Sequence, residues 1–238
     1  MESILEVSKV SKHFGGFTAL SGVDLRVAQG ERLGLIGPNG SGKTTLINCI
    51  SGSLFNDEGE IAFKGQAISK LPAHRRTCLG IARSFQIPRP FTSMSMIENL
   101  MVPLSYVCGI TGEQAEQKAM EILSDMGLAA KARTATHQLS QVELRKMELA
   151  RAMAAQPTLL ISDEAMAGLS GAEIDEVLEI LLDMNSKGIT IIMIEHIMQA
   201  VMAFSQRVVC LDAGQIICEG TPQHVVADPY VQRAYLGD

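Results

Sequence analysis

Apolar and polar residues alternate along Ile4-Leu-Glu-Val-Ser-Lys-Val10 and again along Val23-Asp-Leu-Arg-Val27. Glu60-Ile-Ala-Phe63 is a third short segment, directly after Asp57-Glu-Gly59. A period of two with glycine-bearing turns predicts strands of an antiparallel sheet near the N-terminus. The apolar runs at 32–36, 158–162 and 189–194 are continuous instead. Short continuous runs suit strands buried on both faces. Residues 208–211 and 215–218 read as a terminal hairpin. Helical spacing appears at 112–126, with apolar Ala115, Ala119, Ile122, Leu123 and Met126 on one face. Residues 44–50 can open a helix, 142–155 read as a helix ending before Pro157, and 172–186 as one ended by Gly188. Buried strands alternating with helices imply an α/β fold with a mostly parallel sheet covered on both faces.

One loop in this pattern carries chemistry. Gly37-Pro-Asn-Gly-Ser-Gly-Lys-Thr-Thr45 fits G-x-x-x-x-G-K-[ST] and lies between a short buried strand and a helix start. Such a junction aims backbone N–H groups and a helix dipole at one point, a phosphate site. Lys43 adds positive charge at the β- and γ-phosphates and Thr44 a hydroxyl for Mg²⁺. The loop therefore predicts binding of a nucleoside triphosphate.

Further along, Asp163 and Glu164 end the apolar run at 158–162. In a phosphate-loop fold the Asp holds Mg²⁺ opposite Thr44, and the Glu points elsewhere and can act as general base on an attacking water. His196 follows the run at 189–194, where a strand end delivers a side chain to the ligand edge of the sheet. Gln86, in Ala82-Arg-Ser-Phe-Gln-Ile-Pro88, can ligate Mg²⁺ and orient water without altering the charge of the site. His13, His74, His137 and His224 fall on predicted loops or edges and are read as bland. Met147, Met153, Met193, Met198 and Met202 are read as core filler.

Composition narrows the class. A chain of 238 residues, 47% apolar, can bury a full core as one domain with a substantial insertion. The formal net charge of −6 argues against a nucleic-acid surface. No apolar run is long enough to span a membrane, and the N-terminus lacks a signal-peptide pattern, so a cytosolic protein is expected. The five cysteines are scattered. A two-residue turn at Ala213-Gly214 would set Cys210 opposite Ile217, which favours free buried thiols over a disulfide.

The phosphate loop, Gln86, Leu139-Ser140-Gln-Val-Glu143 ahead of a helix, Asp163-Glu164 and His196 follow one another in an order that resembles the nucleotide-binding subunit of ABC transporters over essentially the whole chain. The resemblance implies a P-loop NTPase core from 1–94 and 156–238, with an N-terminal antiparallel β subdomain and a helical subdomain at 95–155. It implies Mg²⁺ and ATP as ligands. Asn39, Gly40, Ser41, Gly42, Lys43, Thr44, Thr45 and Ser140 would contact nucleotide, with Phe14 of Lys12-His-Phe-Gly-Gly16 stacking on adenine. Thr44, Gln86 and Asp163 would organise Mg²⁺, while Glu164, His196 and Gln86 serve catalysis.

Within the family the chain is most similar to ATPases of branched-chain amino-acid importers, through Phe14-Gly-Gly16, Ala82-Arg-Ser-Phe-Gln-Ile-Pro-Arg-Pro-Phe91, Met96-Ile-Glu-Asn-Leu100 and Ala167-Gly-Leu169. That likeness implies uptake of hydrophobic amino acids or related small acids or amides. It also implies integral membrane permeases, a second ATPase subunit, an extracytoplasmic solute-binding protein and a peripheral place on the cytoplasmic face of the inner membrane. Three departures stand out. Gln141, Val142 and Glu143 replace Gly-Gly-Gln of the family signature, Ala165 replaces a proline, and Ser170 stands where Asp or Asn is usual. Signature glycines let one subunit's backbone approach the γ-phosphate held by its partner. A chain that lacks them would bind ATP at its own loop but offer its partner a weaker contact. Rival readings are an exporter or lipopolysaccharide-type ATPase, a soluble ABC-type ATPase of DNA repair or translation, and a regulatory subunit with weak turnover.

Overall fold

The alternation at the N-terminus extends further than the pattern alone delimits. In the computed structural model, which describes residues 2–85 and 89–236, β1 (Ser3–Phe14) and β2 (Phe17–Ala28) form a long antiparallel hairpin, with Val7 opposite Leu25 and Phe14 opposite Phe17. After β3 (Arg32–Ile36) and α1 (Lys43–Ser51), β4 (Glu58–Phe63) pairs with β1, and β5 (Gln66–Ala67) completes a sheet of order β2-β1-β4-β5. Val7, Val23, Leu25 and Ile61 bury the inward side of this sheet, and a register shift in β1 between Val7 and Val10, where Lys9 takes φ 49°, turns Val10 inward as well.

The chain continues through α2 (Ala73–Leu79), β6 (Ile81–Ser84), α3 (Met96–Tyr106), α4 (Gly112–Asp125) and α5 (Gln141–Met153). Then follow β7 (Leu159–Asp163), α6 (Gly171–Ser186), β8 (Thr190–Ile194) and α7 (Met198–Phe204). The terminal elements are β9 (Arg207–Asp212), β10 (Gln215–Gly220), α8 (Pro222–Ala227) and α9 (Pro229–Leu236). The second sheet has the order β10-β9-β3-β8-β7-β6, parallel except for β10 at its edge. Its central strands are buried on both sides. Leu33, Leu35, Ile161 and Ile192 pack toward α1 and the antiparallel sheet, whereas Leu160, Ile191 and Met193 pack toward the helices of α3 to α7. The α/β architecture expected from the pattern is thus the one observed.

Topology places the chemistry. Leu35 and Asp163 both lie opposite Ile194, so β3, β7 and β8 end at the same edge of the sheet. The loops that follow these ends carry the phosphate loop, Glu164 and His196. Ligands of open parallel sheets collect at such an edge.

The terminal hairpin corrects one expectation. Ala213 and Gly214 do form a two-residue turn, both with positive φ. A shift in register between Ile216 and Cys218 then sets Cys218, and not Ile217, opposite Cys210. A bulge inserts one residue and reverses the face of everything after it. All five cysteines are free thiols.

Candidate active site

The phosphate loop begins where β3 runs out. Gly42 caps α1 at φ 106°, and a Cβ there would lie 2.7 Å from the Ala19 carbonyl oxygen, so a residue with a side chain is excluded both by conformation and by space. Lys43 is buried, and its ammonium donates to the Gly37 and Pro38 carbonyls at 2.7 and 3.0 Å. Burial lowers its pKa, while the Glu164 and Asp163 charges oppose that shift. The Ser41 hydroxyl is buried without a hydrogen-bond partner. A cavity of about 240 Å³ opens over the loop, lined by Asn39 to Thr45, Phe17, Ala19, Glu164 and His196. Its walls supply donors for an anion: the ammonium, the orphaned hydroxyl and the amides of the first helical turn, which have no partner within a helix. A larger cavity of about 940 Å³ lies by Glu31, Arg207 and Glu219, away from this edge. Arg207 there is already paired with both carboxylates.

Glu164 holds a positive φ of 47°, rare for a residue with a side chain, and its N–H donates to the Ile194 carbonyl at 2.9 Å. That backbone turn, anchored on β8, swings the carboxylate to the cavity. His196 Nε2 lies 3.0 Å from Glu164 Oε1, so the residue that follows β7 and the second residue after β8 meet at the cavity. Glu195, between them in sequence, turns inward. It is buried, accepts the Met166 N–H at 2.9 Å, and burial pushes its carboxyl up to about 7.

Asp163 is placed differently from its neighbour. It is not part of the cavity lining. Its Oδ2 accepts from Arg83 Nη2 at 2.5 Å, and Arg83 Nη1 donates to Asn48 Oδ1 at 2.6 Å. Asn48 stands one helical turn beyond Thr44 on α1. The oxygen donors available at this edge, the Thr44 hydroxyl and the Asp163 carboxylate, are hard ligands of the kind Mg²⁺ takes. They fit that ion, provided that Asp163 is shared with or released by Arg83. Gln86 lies outside the described residues.

Phe14 does not line the cavity; Phe17, its partner across the Gly15-Gly16 turn, does. Both aromatics are exposed. Ser140 sits apart from this cavity, as the N-cap of α5. Glu143 reaches back to the Ser140 N–H at 2.9 Å and pairs with Lys131 at 2.6 Å, which lowers its pKa. Its charge is therefore engaged by a cap and a lysine. Gln141 Nε2 donates to the Ala167 carbonyl at 3.3 Å and fills the space where Gly168, at φ 79°, would carry a Cβ. Ser170 begins α6 with a capping box to Glu173, so serine there does the work of any N-cap residue. Ala165 is buried. Arg83, Asn48 and Phe17 were missed at the level of sequence. The signals were present: an arginine inside an apolar run, an amide four residues after Thr44, and a second aromatic facing the first across a tight turn.

Comparison with known proteins agrees with this geometry. A family profile described as ABC transporter matches residues 20–167, and one described as branched-chain amino acid ATP-binding cassette transporter matches 215–238. A high-affinity branched-chain amino acid transport ATP-binding protein of Pseudomonas aeruginosa is 34% identical, across 99% of this chain and 98% of the relative. A lipopolysaccharide export system ATP-binding protein of Haemophilus influenzae is 33% identical, across 99% of this chain and 98% of its own length. The crystal structure of an ATP-binding cassette of an ABC transporter in its ADP conformation superposes with a TM-score of 0.92 at 32% identity, covering all of both chains.

Proposed function

The chain belongs to the ABC transporter family and is an ATPase of that family, and we propose that it powers an importer for branched-chain or other hydrophobic amino acids or related small acids or amides. The importer reading is supported by the full-length likeness to a branched-chain transport protein and by the matching C-terminal segment. Import in place of export is the finer step, because the lipopolysaccharide export relative is similar over the same length.

The observation that carries the catalytic reading is the Glu164–His196 pair facing the phosphate loop. Lys43 exchanges its two loop carbonyls for phosphate oxygens, a charge-assisted interaction that is stronger than the one it replaces. Ser41 and the amides from Asn39 to Thr45 bind the remaining oxygens. The cavity holds phosphates, so the base lies outside it against the exposed aromatics Phe14 and Phe17. Thr44 and Asp163, with Gln86, would hold magnesium, which would supply positive charge to the phosphate oxygens. Glu164 takes the proton from the attacking water, and His196 holds that carboxylate in place and reaches toward the γ-phosphate.

Ser140 and the α5 N-terminus serve a partner's nucleotide in a head-to-tail dimer, and residues 95–155 form the helical subdomain that carries them. No helix of the described residues is long and apolar enough to cross a membrane. The chain then works as a peripheral subunit at the inner membrane, with separate permeases and an external solute-binding protein. The test is reconstitution with the permeases in vesicles. ATP-dependent uptake of labelled leucine, stimulated by a binding protein, is expected. Turnover that ignores amino acids and binding protein alike overturns the importer assignment and leaves the exporter reading.

A further inference from the structure

We propose that Cys218, His224 and Asp228 form a binding site for a thiophilic divalent cation of the zinc class, outside the nucleotide site. The bulge after Ile216 turns the nearly buried Cys218 thiol toward the short helix α8, which presents His224, and Asp228 follows that helix directly. One sulfur, one imidazole nitrogen and one carboxylate oxygen lie within 4.8 Å of one another. A thiolate, an imidazole and a carboxylate are the donor types zinc accepts, and three protein ligands leave its fourth, tetrahedral position to water. Bonds of about 2.0–2.3 Å set ligands roughly 3.3–3.8 Å apart, so the triangle closes by about 1 Å on binding. His224 is exposed, with its ring resting over Gly220. Binding forms the sulfur–metal bond and releases the thiol proton to solvent, with no change of oxidation state.

Asp228 gives the site a reach beyond itself. Its Oδ1 accepts the N–H groups of Tyr230 and Val231 at 2.8 and 3.2 Å and so caps α9, and the carboxylate also accepts from the Cys218 thiol, a hydrogen bond that a bound cation would replace. At the far end of α9 the Tyr235 hydroxyl accepts the N–H of Gly37, the first residue of the phosphate loop, at 2.7 Å. A cation bound at the α8–α9 junction therefore fixes the helix that touches the start of the nucleotide site.

Titration of the reduced, chelator-treated full chain with Co²⁺ tests the site. One equivalent is expected to bind with thiolate-to-cobalt charge-transfer absorption, and Zn²⁺ should displace it. The band should vanish in Cys218→Ser, and affinity should fall by at least about tenfold in His224→Ala. It should persist in Cys78→Ser, which removes the exposed thiol. His224→Ala alters only an exposed ring, so its unchanged melting curve without metal serves as the folding control. Absence of the band in the wild-type chain, or its survival in Cys218→Ser, overturns the proposal. So does a Cys210–Cys218 disulfide that persists under reductant.

Discussion

Glu195 shows how much one residue can hold. Its carboxyl is raised from 4.5 to about 7, first by burial and further by the nearby Glu164 charge, against the opposing Met166 N–H. A carboxyl raised in the folded state keeps its proton there while the unfolded chain loses it. Stability is therefore greatest below about pH 4.5 as far as this group is concerned, and falls by about 3 kcal/mol as pH rises to 7. Glu195→Gln should flatten that part of the denaturation-against-pH profile and stabilise the chain at pH 8. A second residue, Arg83, holds the largely buried Asp163. Arg83→Met leaves that carboxylate unpaired at a cost of about 3–5 kcal/mol. Mg²⁺ with nucleotide should then raise the melting temperature of the variant more than that of the wild type, whereas equal shifts would show that Asp163 does not meet the ion. That the phosphate loop, Glu164 and His196 gather at one sheet edge was legible in sequence, because each follows the end of a buried strand. Arg83, Phe17 and the Cys218 cluster were not, since each depends on what a partner strand or helix brings alongside.

At the scale of elements, the departures from the family signature become a matter of helix ends. Ser140 and Glu143 close a capping box on α5, and Gln141 ties that helix to the loop at Ala167 and Gly168. Gly168→Ala forces a side chain to φ 79°, costing about 1–2 kcal/mol, and pushes against Gln141. Adding Gln141→Ala should recover part of the loss in urea unfolding, and strict additivity would show that the two do not touch. Helix α4 was readable from its period, α5 and α6 from the Pro157 and Gly188 that end them, and the buried strands from short continuous apolar runs. α3 was not, because Pro103 interrupts a short helix whose start depends on the Ser95 capping box. The β9–β10 register was misread for a similar reason: alternation fixes which residues face inward only until a bulge intervenes.

For the molecule as a whole, the question is how two cassettes share their sites. Val142 stands where the family places a glycine, and the Glu143 charge is already held by Lys131. The combination Val142→Gly with Glu143→Gln keeps the cap, since Gln serves at that position, and removes bulk and charge together. Turnover of the assembled transporter should rise if this end of α5 limits a partner's site, and an unchanged rate in every pairing would show that it does not. The central claim is nearer the phosphate loop: Glu164, placed by its strained backbone and held by His196, activates water on ATP bound there. Single-turnover hydrolysis by Glu164→Gln, at ATP concentrations where calorimetry shows both proteins saturated, tests it most directly. The expected result is unchanged binding and a rate lower by about 10²–10⁴-fold; hydrolysis within a few-fold of wild type at full occupancy would contradict it.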